Sequence, residues 1–508
     1  MKKGRTTQFF YSTIVTAIYQ FIIMISGFIV PRVMLVAYGS ELNGLVSSIN
    51  QFISYFSLVE AGLAAAIVYS LYEPLATRNL DKINRILSAA KKYYYQCGYI
   101  FTFLVIILAA TYPLFNNTKQ LSYIQIFILV IALGAKSFFD FFTLAKYRVL
   151  LTADQKVYII SAASIVYQII YILIISILAF FRVSIVLVYL FAIIAVYSRT
   201  VILKTYVCRK YSEIRYDLEP DKSALDKRWD ALYQQMLGAT QSSVPVVLAT
   251  FFCSLSLVSV YTIYNMVMSG INGIMSIFIS GLGASFGDVL AKKEQNTLER
   301  SYNLFVFVYS CINTFVYSVT TVLIVDFVKI YTSDIHDQNY IFPVLGVLMA
   351  LNGYLYNMKT PQGMLIGSAG HYKETRVQCT IQVLIIIIGG LILTPLYNLT
   401  GIMIASCLSN IYRCIDLIYY VPHNILNVKS TYTFKNVCLS LMGYIIIISV
   451  GFLFVKVAVV DITSWIIKAL IVSIISIGII GITAVAFYKN ELKQSIKVIK
   501  RFIKEIRC

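Results

Sequence analysis

Charge is scarce in this chain. Only 13% of its 508 residues are Asp, Glu, Lys or Arg, while 59% are hydrophobic. A soluble domain carries roughly a quarter charged residues, so an ordinary water-facing surface is excluded. Histidine is rarer still: His336, His371 and His423 have no second His or Cys at metal-ligand spacing, which leaves no zinc motif. There is no Gly-x-x-x-x-Gly-Lys-Ser/Thr run, so ATP is not expected as the direct energy source. The nine cysteines include no Cys-x-x-Cys pair, and Cys97, Cys253, Cys311, Cys379 and Cys407 lie inside apolar runs, where they read as small hydrophobes. The basic start at residues 1–5 is followed by no Ala-x-Ala cleavage pattern. Its apolar run continues from Phe9 to about residue 37, so an uncleaved first helix is expected. No catalytic signature is present, and enzymatic activity is not expected.

Apolar runs of roughly 20 residues, enough to cross a hydrocarbon core about 30 Å thick, recur along the whole length. Backbone groups in lipid must bond within their own segment, so these runs are expected to be helices. Fourteen can be placed between charged or Gly/Pro/Asn-rich breaks, the first at 9–37, the fourth at 122–147 and the last at 464–488. The sequence predicts an all-α polytopic membrane protein with two six-helix lobes related by a parallel repeat, plus two C-terminal helices. The lobes are expected at 1–207 and 231–428, joined by a basic cytoplasmic linker at 208–230. Helices 13 and 14 follow at 429–488, and a basic amphipathic tail at 489–508 is suited to an anionic membrane surface.

With the N-terminus placed in the cytoplasm, 32 of the 42 Lys and Arg fall in inner segments and four, Lys119, Arg182, Lys329 and Lys456, in outer ones. A missed helix would reverse every later loop and destroy this asymmetry, so both termini are expected to be cytoplasmic. The net charge of +19 is thus spread over short loops, and no nucleic-acid partner is expected. Two pairs of segments support the repeat. Gly62-Leu63-Ala64-Ala65-Ala66 matches Gly281-Leu282-Gly283-Ala284-Ser285, and residues 151–156 match residues 366–371, both at a spacing near 215–219. An even number of helices per half keeps the halves in the same orientation.

Ionisable groups inside a membrane are costly and usually face a cavity or a partner. The candidates are Arg32, Glu60, Lys136, Asp140, Arg199, Lys359, Arg413 and Asp416. Lys136 and Asp140 are four residues apart and share a helix face, as do Arg413 and Asp416; each pair reads equally as a packing ion pair or as part of a site. Arg32, Lys359 and Glu60 have no local partner and point to a water-filled cavity, while Arg199 can also reach the inner surface. Cations outnumber anions five to three among these groups, which favours an anionic solute such as a diphosphate. Tyr261, Tyr264 and Asn265 are candidates for lining a sugar path. Asp288 and Asp326, at helix ends, read as interfacial.

Several strings carry a resemblance. They are Val59-Glu60-Ala61-Gly62-Leu63, Leu71-Tyr72-Glu73-Pro74-Leu75-Ala76, Lys82-Ile83-Asn84, Ala153-Asp154-Gln155-Lys156, Lys359-Thr360-Pro361-Gln362-Gly363, residues 369–375, and Tyr412-Arg413 with Asp416. With the helix count, they make the chain resemble the polysaccharide flippase (Wzx-type) branch of the multidrug/oligosaccharidyl-lipid/polysaccharide exporter superfamily. The resemblance implies two lobes around a central cationic cavity that opens alternately to either side. It implies as substrate an undecaprenyl-diphosphate-linked oligosaccharide, moved outward across the bacterial cell membrane for capsule or related polysaccharide, with membrane lipids and a polysaccharide polymerase as partners. No cofactor is implied. Coupling to H+ or Na+ is left open, with Glu60, Asp140 or Asp416 as its candidates, because no acidic residue occurs in the core of helix 1. Two alternatives stand: an exporter of another substrate on the same fold (peptidoglycan lipid precursor or drug), and an integral-membrane polymerase or acyltransferase.

Overall fold

A computed structural model describes residues 5–60, 63–115, 118, 120–219, 228–279, 295–371 and 373–495. Gly62, the residue 281–290 motif with Asp288, residues 220–227 of the linker, Tyr372 and the tail beyond 495 lie outside the described residues. Apolar runs are helical throughout, and no strand occurs among the described residues.

α1 (Arg5–Phe56) carries two spans. The sequence predicts a gap at 38–42, but the chain turns at a single residue, Gly39 (φ 80°, ψ 177°), a conformation open essentially to glycine alone. A 3-10 turn, Ser57–Glu60, interrupts the second span before α2 (Leu63–Thr77). α3 (Leu80–Phe115) follows. The fourth span is α4 (Tyr123–Phe139), a π turn (Asp140–Leu144) and α5 (Ala145–Ala153). Then come α6 (Val157–Phe180), α7 (Ile185–Lys210), α8 (Arg228–Phe252), α9 (Leu255–Ile279) and α10 (Gln295–Tyr331). α11 (Pro343–Met358) and α12 (Thr360–Ala369) make one broken span. α13 (Arg376–Val421) makes two spans, divided at Asn398 (φ 51°). α14 (Thr431–Phe454) and α15 (Ile462–Phe487) close the set. Counted as spans, these helices number fourteen. Nine continuous stretches among the described residues are long and apolar enough to cross a membrane, and two of these, of 47 and 51 residues, are the double spans that turn at Gly39 and Asn398. The chain is a multi-pass membrane protein.

Two helix ends that match in sequence close in the same way. α5 ends with Gln155 at φ 57° and Lys156 N donating to Leu151 O. α12 ends with Gly370 at φ 73° and His371 N donating to Ile366 O. Both are Schellman caps and fall on the second of the two matching sequence pairs; the same cap also closes α2 at Arg78 and α6 at Arg182, so it is not peculiar to that pair.

The chain divides into two compact units, residues 1–262 and 263–508. In the first, α8 and the start of α9 are laced to the second half of α1: Asn43 Nδ2 donates to Ser259 Oγ at 2.7 Å, Ser48 and Thr250 share a hydroxyl bond of 2.7 Å, and Gln51 Nε2 donates to Ser243 Oγ at 2.8 Å. Gly44 permits the approach, since a Cβ there would stand 1.8 Å from Leu255 O. In the second unit α10 is the hub against which α11, α14 and α15 pack. Asp326, expected to be interfacial, pairs with Lys468 of α15 at 2.7 Å.

Candidate functional site

In the first unit the breaks in the second and fourth spans bring charge together. Ser57 and Ser137 hydroxyls, 3.0 Å apart, hold the 3-10 turn against α4, and Glu60 ends that turn. Its partner is Arg148 of α5, with Nη2 to Oε1 3.5 Å. Arg148 is absent from the sequence-derived candidates. The π turn, a feature that often marks functional sites, begins at Asp140. Lys136 is not Asp140's bonded partner, despite the four-residue spacing; Arg199 of α7 is, at 3.4 Å. Arg199 is buried and does not reach the surface. The Lys136 ammonium stands 5.6 Å from the centre of the Tyr167 ring, within the field of Asp140, Arg199 and Arg148. Three cations therefore meet two carboxylates. Two polar atoms of this cluster, Arg199 Nε and Glu60 Oε2, are buried with no hydrogen-bond partner, so its bonding capacity is not exhausted internally.

The second unit has a sparser counterpart. Lys359 sits at the joint of α11 and α12. Its Nζ donates to Asn410 Oδ1 at 2.6 Å and lies 5.0 Å from the Tyr356 ring centre. Asn410 in turn donates to Asn352 Oδ1 at 2.7 Å, and Gln382 Nε2 donates to Asn410 at 3.3 Å. These partners are neutral, and among the described residues no carboxylate pairs with Lys359. Arg413 is buried and bonded to Asp416 on its own helix, as the spacing predicts. Beside them, Asn357 bonds Tyr309, Tyr317 and Asn272 (each 2.8 Å), and Tyr317 donates to Asn272 at 2.7 Å.

Arg32 follows Pro31 inside α1 and is half-buried. On α9, Tyr261 is buried and Asn265 half-buried, and neither makes a hydrogen bond to either cluster among the described residues. The Tyr264 hydroxyl donates to Tyr340 O at 3.0 Å and accepts from Phe342 N at 3.1 Å, a purely structural use. The missed residue, Arg148, was legible only as a basic residue one position past an apolar run.

No family model and no curated protein matches the sequence. Among solved structures, a lipid II flippase, MurJ, in an inward closed conformation superposes over 94% of this chain and 100% of its own, with a TM-score of 0.68 at 13% identity. An inward-facing multidrug resistance MATE family transporter of the MOP superfamily covers 83% of this chain and 99% of its own (TM-score 0.62, 13% identity). The MATE multidrug transporter DinF-BH covers 84% and 98% (TM-score 0.58, 17% identity). At these identities the likeness is one of fold, and the helical fold of this chain matches that of the MurJ and MATE transporters.

Proposed function

We propose that the protein is a flippase that moves undecaprenyl-diphosphate-linked oligosaccharide repeat units from the cytoplasmic to the outer leaflet of the bacterial cell membrane by alternating access, for surface polysaccharide synthesis. The observation that carries this reading is the cation excess at membrane depth. Among the described residues the carboxylates beside Lys136, Arg148 and Arg199 are Glu60 and Asp140, Arg199 Nε has no acceptor, and Lys359 is held by neutral amides. A diphosphate supplies the missing negative charge, and guanidinium groups can grip it with paired hydrogen bonds. A cationic drug would be repelled. Transport of this kind needs no bond-making chemistry, so the protein acts as a transporter and not as a polymerase or acyltransferase.

A second reading, export of the peptidoglycan lipid precursor, is favoured by one finding: the lipid II flippase likeness extends over 94% of this chain, against 83% and 84% for the multidrug transporters. The test is reconstitution into vesicles with defined lipid-linked glycans and with lipid II, each with and without H+ and Na+ gradients. The oligosaccharide lipid is expected to cross, and the Arg199→Gln and Lys359→Gln variants to slow it roughly tenfold or more, as loss of one charge-assisted contact implies. Crossing of lipid II alone would replace the first reading by the second. Acceleration by one gradient would identify the coupling ion.

A further inference from the structure

A second basic cluster lies away from the paired charges, where α3, α5 and α7 end on the first unit. The loop after α7 folds back on α3: Arg215 N donates to Asn84 Oδ1 at 3.0 Å and Leu218 N to Ser88 Oγ at 3.1 Å, both acceptors being buried side chains. At the loop's start the Tyr211 hydroxyl donates to Asp154 while Lys156 Nζ donates to that hydroxyl at 2.7 Å. Tyr216, between these anchors, meets Tyr147 edge-on, with ring centres 6.1 Å apart at 86°. The Lys146 ammonium stands 5.1 Å from the centre of each ring, a cation–π contact that fixes a normally flexible group. Lys91 of α3 and Lys204 of α7 are the cations whose fields act on it most, and Lys91 stacks on Tyr95 at 5.9 Å.

Three ammonium groups so placed repel one another, and among the described residues none is paired with a carboxylate. Glu213, Asp217 and Glu219 on the loop are exposed and form no ion pair there. The Tyr216 hydroxyl is buried without a hydrogen-bond partner. The flanking surface indicates where the missing anion comes from. Tyr99 follows Lys91 by eight residues on one helix face, and Val201 and Tyr197 precede Lys204 by three and seven; all three are exposed. Apolar surface therefore leads up to the lysines along both helices, as it does for a lipid whose chains lie on the helices and whose headgroup ends at the cations.

We propose that Lys91, Lys146 and Lys204 bind the phosphate of an anionic lipid headgroup at the membrane edge of the first unit. The site is separate from the charged cluster of Glu60 and Arg148, and it stands whatever solute that cluster serves. The headgroup belongs either to a resident phospholipid or to an undecaprenyl diphosphate approaching from the bilayer.

The experiment is native mass spectrometry of the full chain in mild detergent, titrated separately with phosphatidylglycerol, undecaprenyl diphosphate and phosphatidylcholine. The Lys91→Gln/Lys146→Gln/Lys204→Gln variant is expected to lose roughly a hundredfold in affinity for at least one of the two anionic lipids. The corresponding triple Arg variant and Lys92→Gln, an exposed neighbour, are expected to bind as the wild type does. Loss confined to undecaprenyl diphosphate identifies a loading site, and loss confined to phosphatidylglycerol a resident lipid. Equal binding of both anionic lipids by the wild type and the triple Gln variant overturns the proposal, as does wild-type binding no tighter than that of phosphatidylcholine. Should the triple Gln variant not fold, Lys204→Gln alone is expected to weaken binding about fivefold, and no change there has the same overturning force.

Discussion

Arg148 is the partner of Glu60 in the first unit, and its place in the sequence concealed it. The apolar run of the fourth span ends near residue 147, so Arg148 reads as one of three basic residues in an inner loop. In the structure the helix continues to Ala153 beyond a π turn, and that extension carries Arg148 beneath Glu60. Lys136 and Asp140 share a regular turn, with Asp140 N donating to Lys136 O, yet they do not bond: the carboxylate turns to Arg199 and the ammonium to the Tyr167 ring. Arg413 and Asp416, on one helix face, do bond, so spacing places two groups on one face without deciding which partner each takes. The two side chains of the Arg148–Glu60 pair are 27% and 28% exposed, so the pair is partly wet. Arg148→Leu strands the Glu60 carboxylate and is expected to destabilise the protein by about 2 kcal/mol, less than for a fully buried pair. Adding Glu60→Gln should recover most of that loss. Thermal unfolding in detergent measures both; a double variant no more stable than Arg148→Leu would show that the arginine packs instead of neutralising.

Fourteen elements were legible from hydropathy because each must hide its own backbone from lipid. Their breaks were less so. Gly39 and Asn398 replace expected loops with one-residue turns, and nothing in the apolar pattern distinguishes a turn of one residue from a loop of four. End chemistry is plainer. α15 opens with a capping box in which Ser464 N donates to Asp461 Oδ1 at 2.8 Å and Ser464 Oγ donates to the same oxygen at 2.6 Å. Those bonds hold the Asp461 carboxyl below the usual carboxylate range, the Ser464 hydroxyl first and its N–H second. A carboxyl with a depressed folded pKa adds stability above its unfolded pKa, near 4, and that stability is lost as pH falls through the lower folded value. Relative to the intrinsic rate at each pH, the protection of amides in the first turn of α15 should therefore fall as the pH is lowered below about 4. Asp461→Asn keeps an acceptor at the cap and should make that protection independent of pH; a retained pH dependence of protection would place the titrating group elsewhere.

At the scale of the whole molecule, the repeat expected from the sequence draws on helix ends, which carry sequence signatures that lipid-facing surfaces do not. The Schellman caps at Gln155 and Gly370 share a geometry although one uses glycine and the other does not. Which polar side chains meet could not be read the same way, since Asn410, Asn352 and Gln382 come from three separated stretches with no common spacing. Orientation rests on charge alone: 32 basic residues on one side against four on the other, an asymmetry that the insertion machinery reads as positive-inside. It makes a sharp prediction for exposed loop positions in a cysteine-free background. Ser333→Cys and Val460→Cys, at exposed sites of the sparsely charged side, should react with a membrane-impermeant maleimide in intact cells. Ser212→Cys, exposed on the basic side beside the lysine cluster, should react only after the membrane is opened. The two sets differ by an odd number of spans, so no shift of a helix end can reconcile them with the opposite result. Labelling of Ser212→Cys from outside would invert the chain and place its basic segments on the outer face.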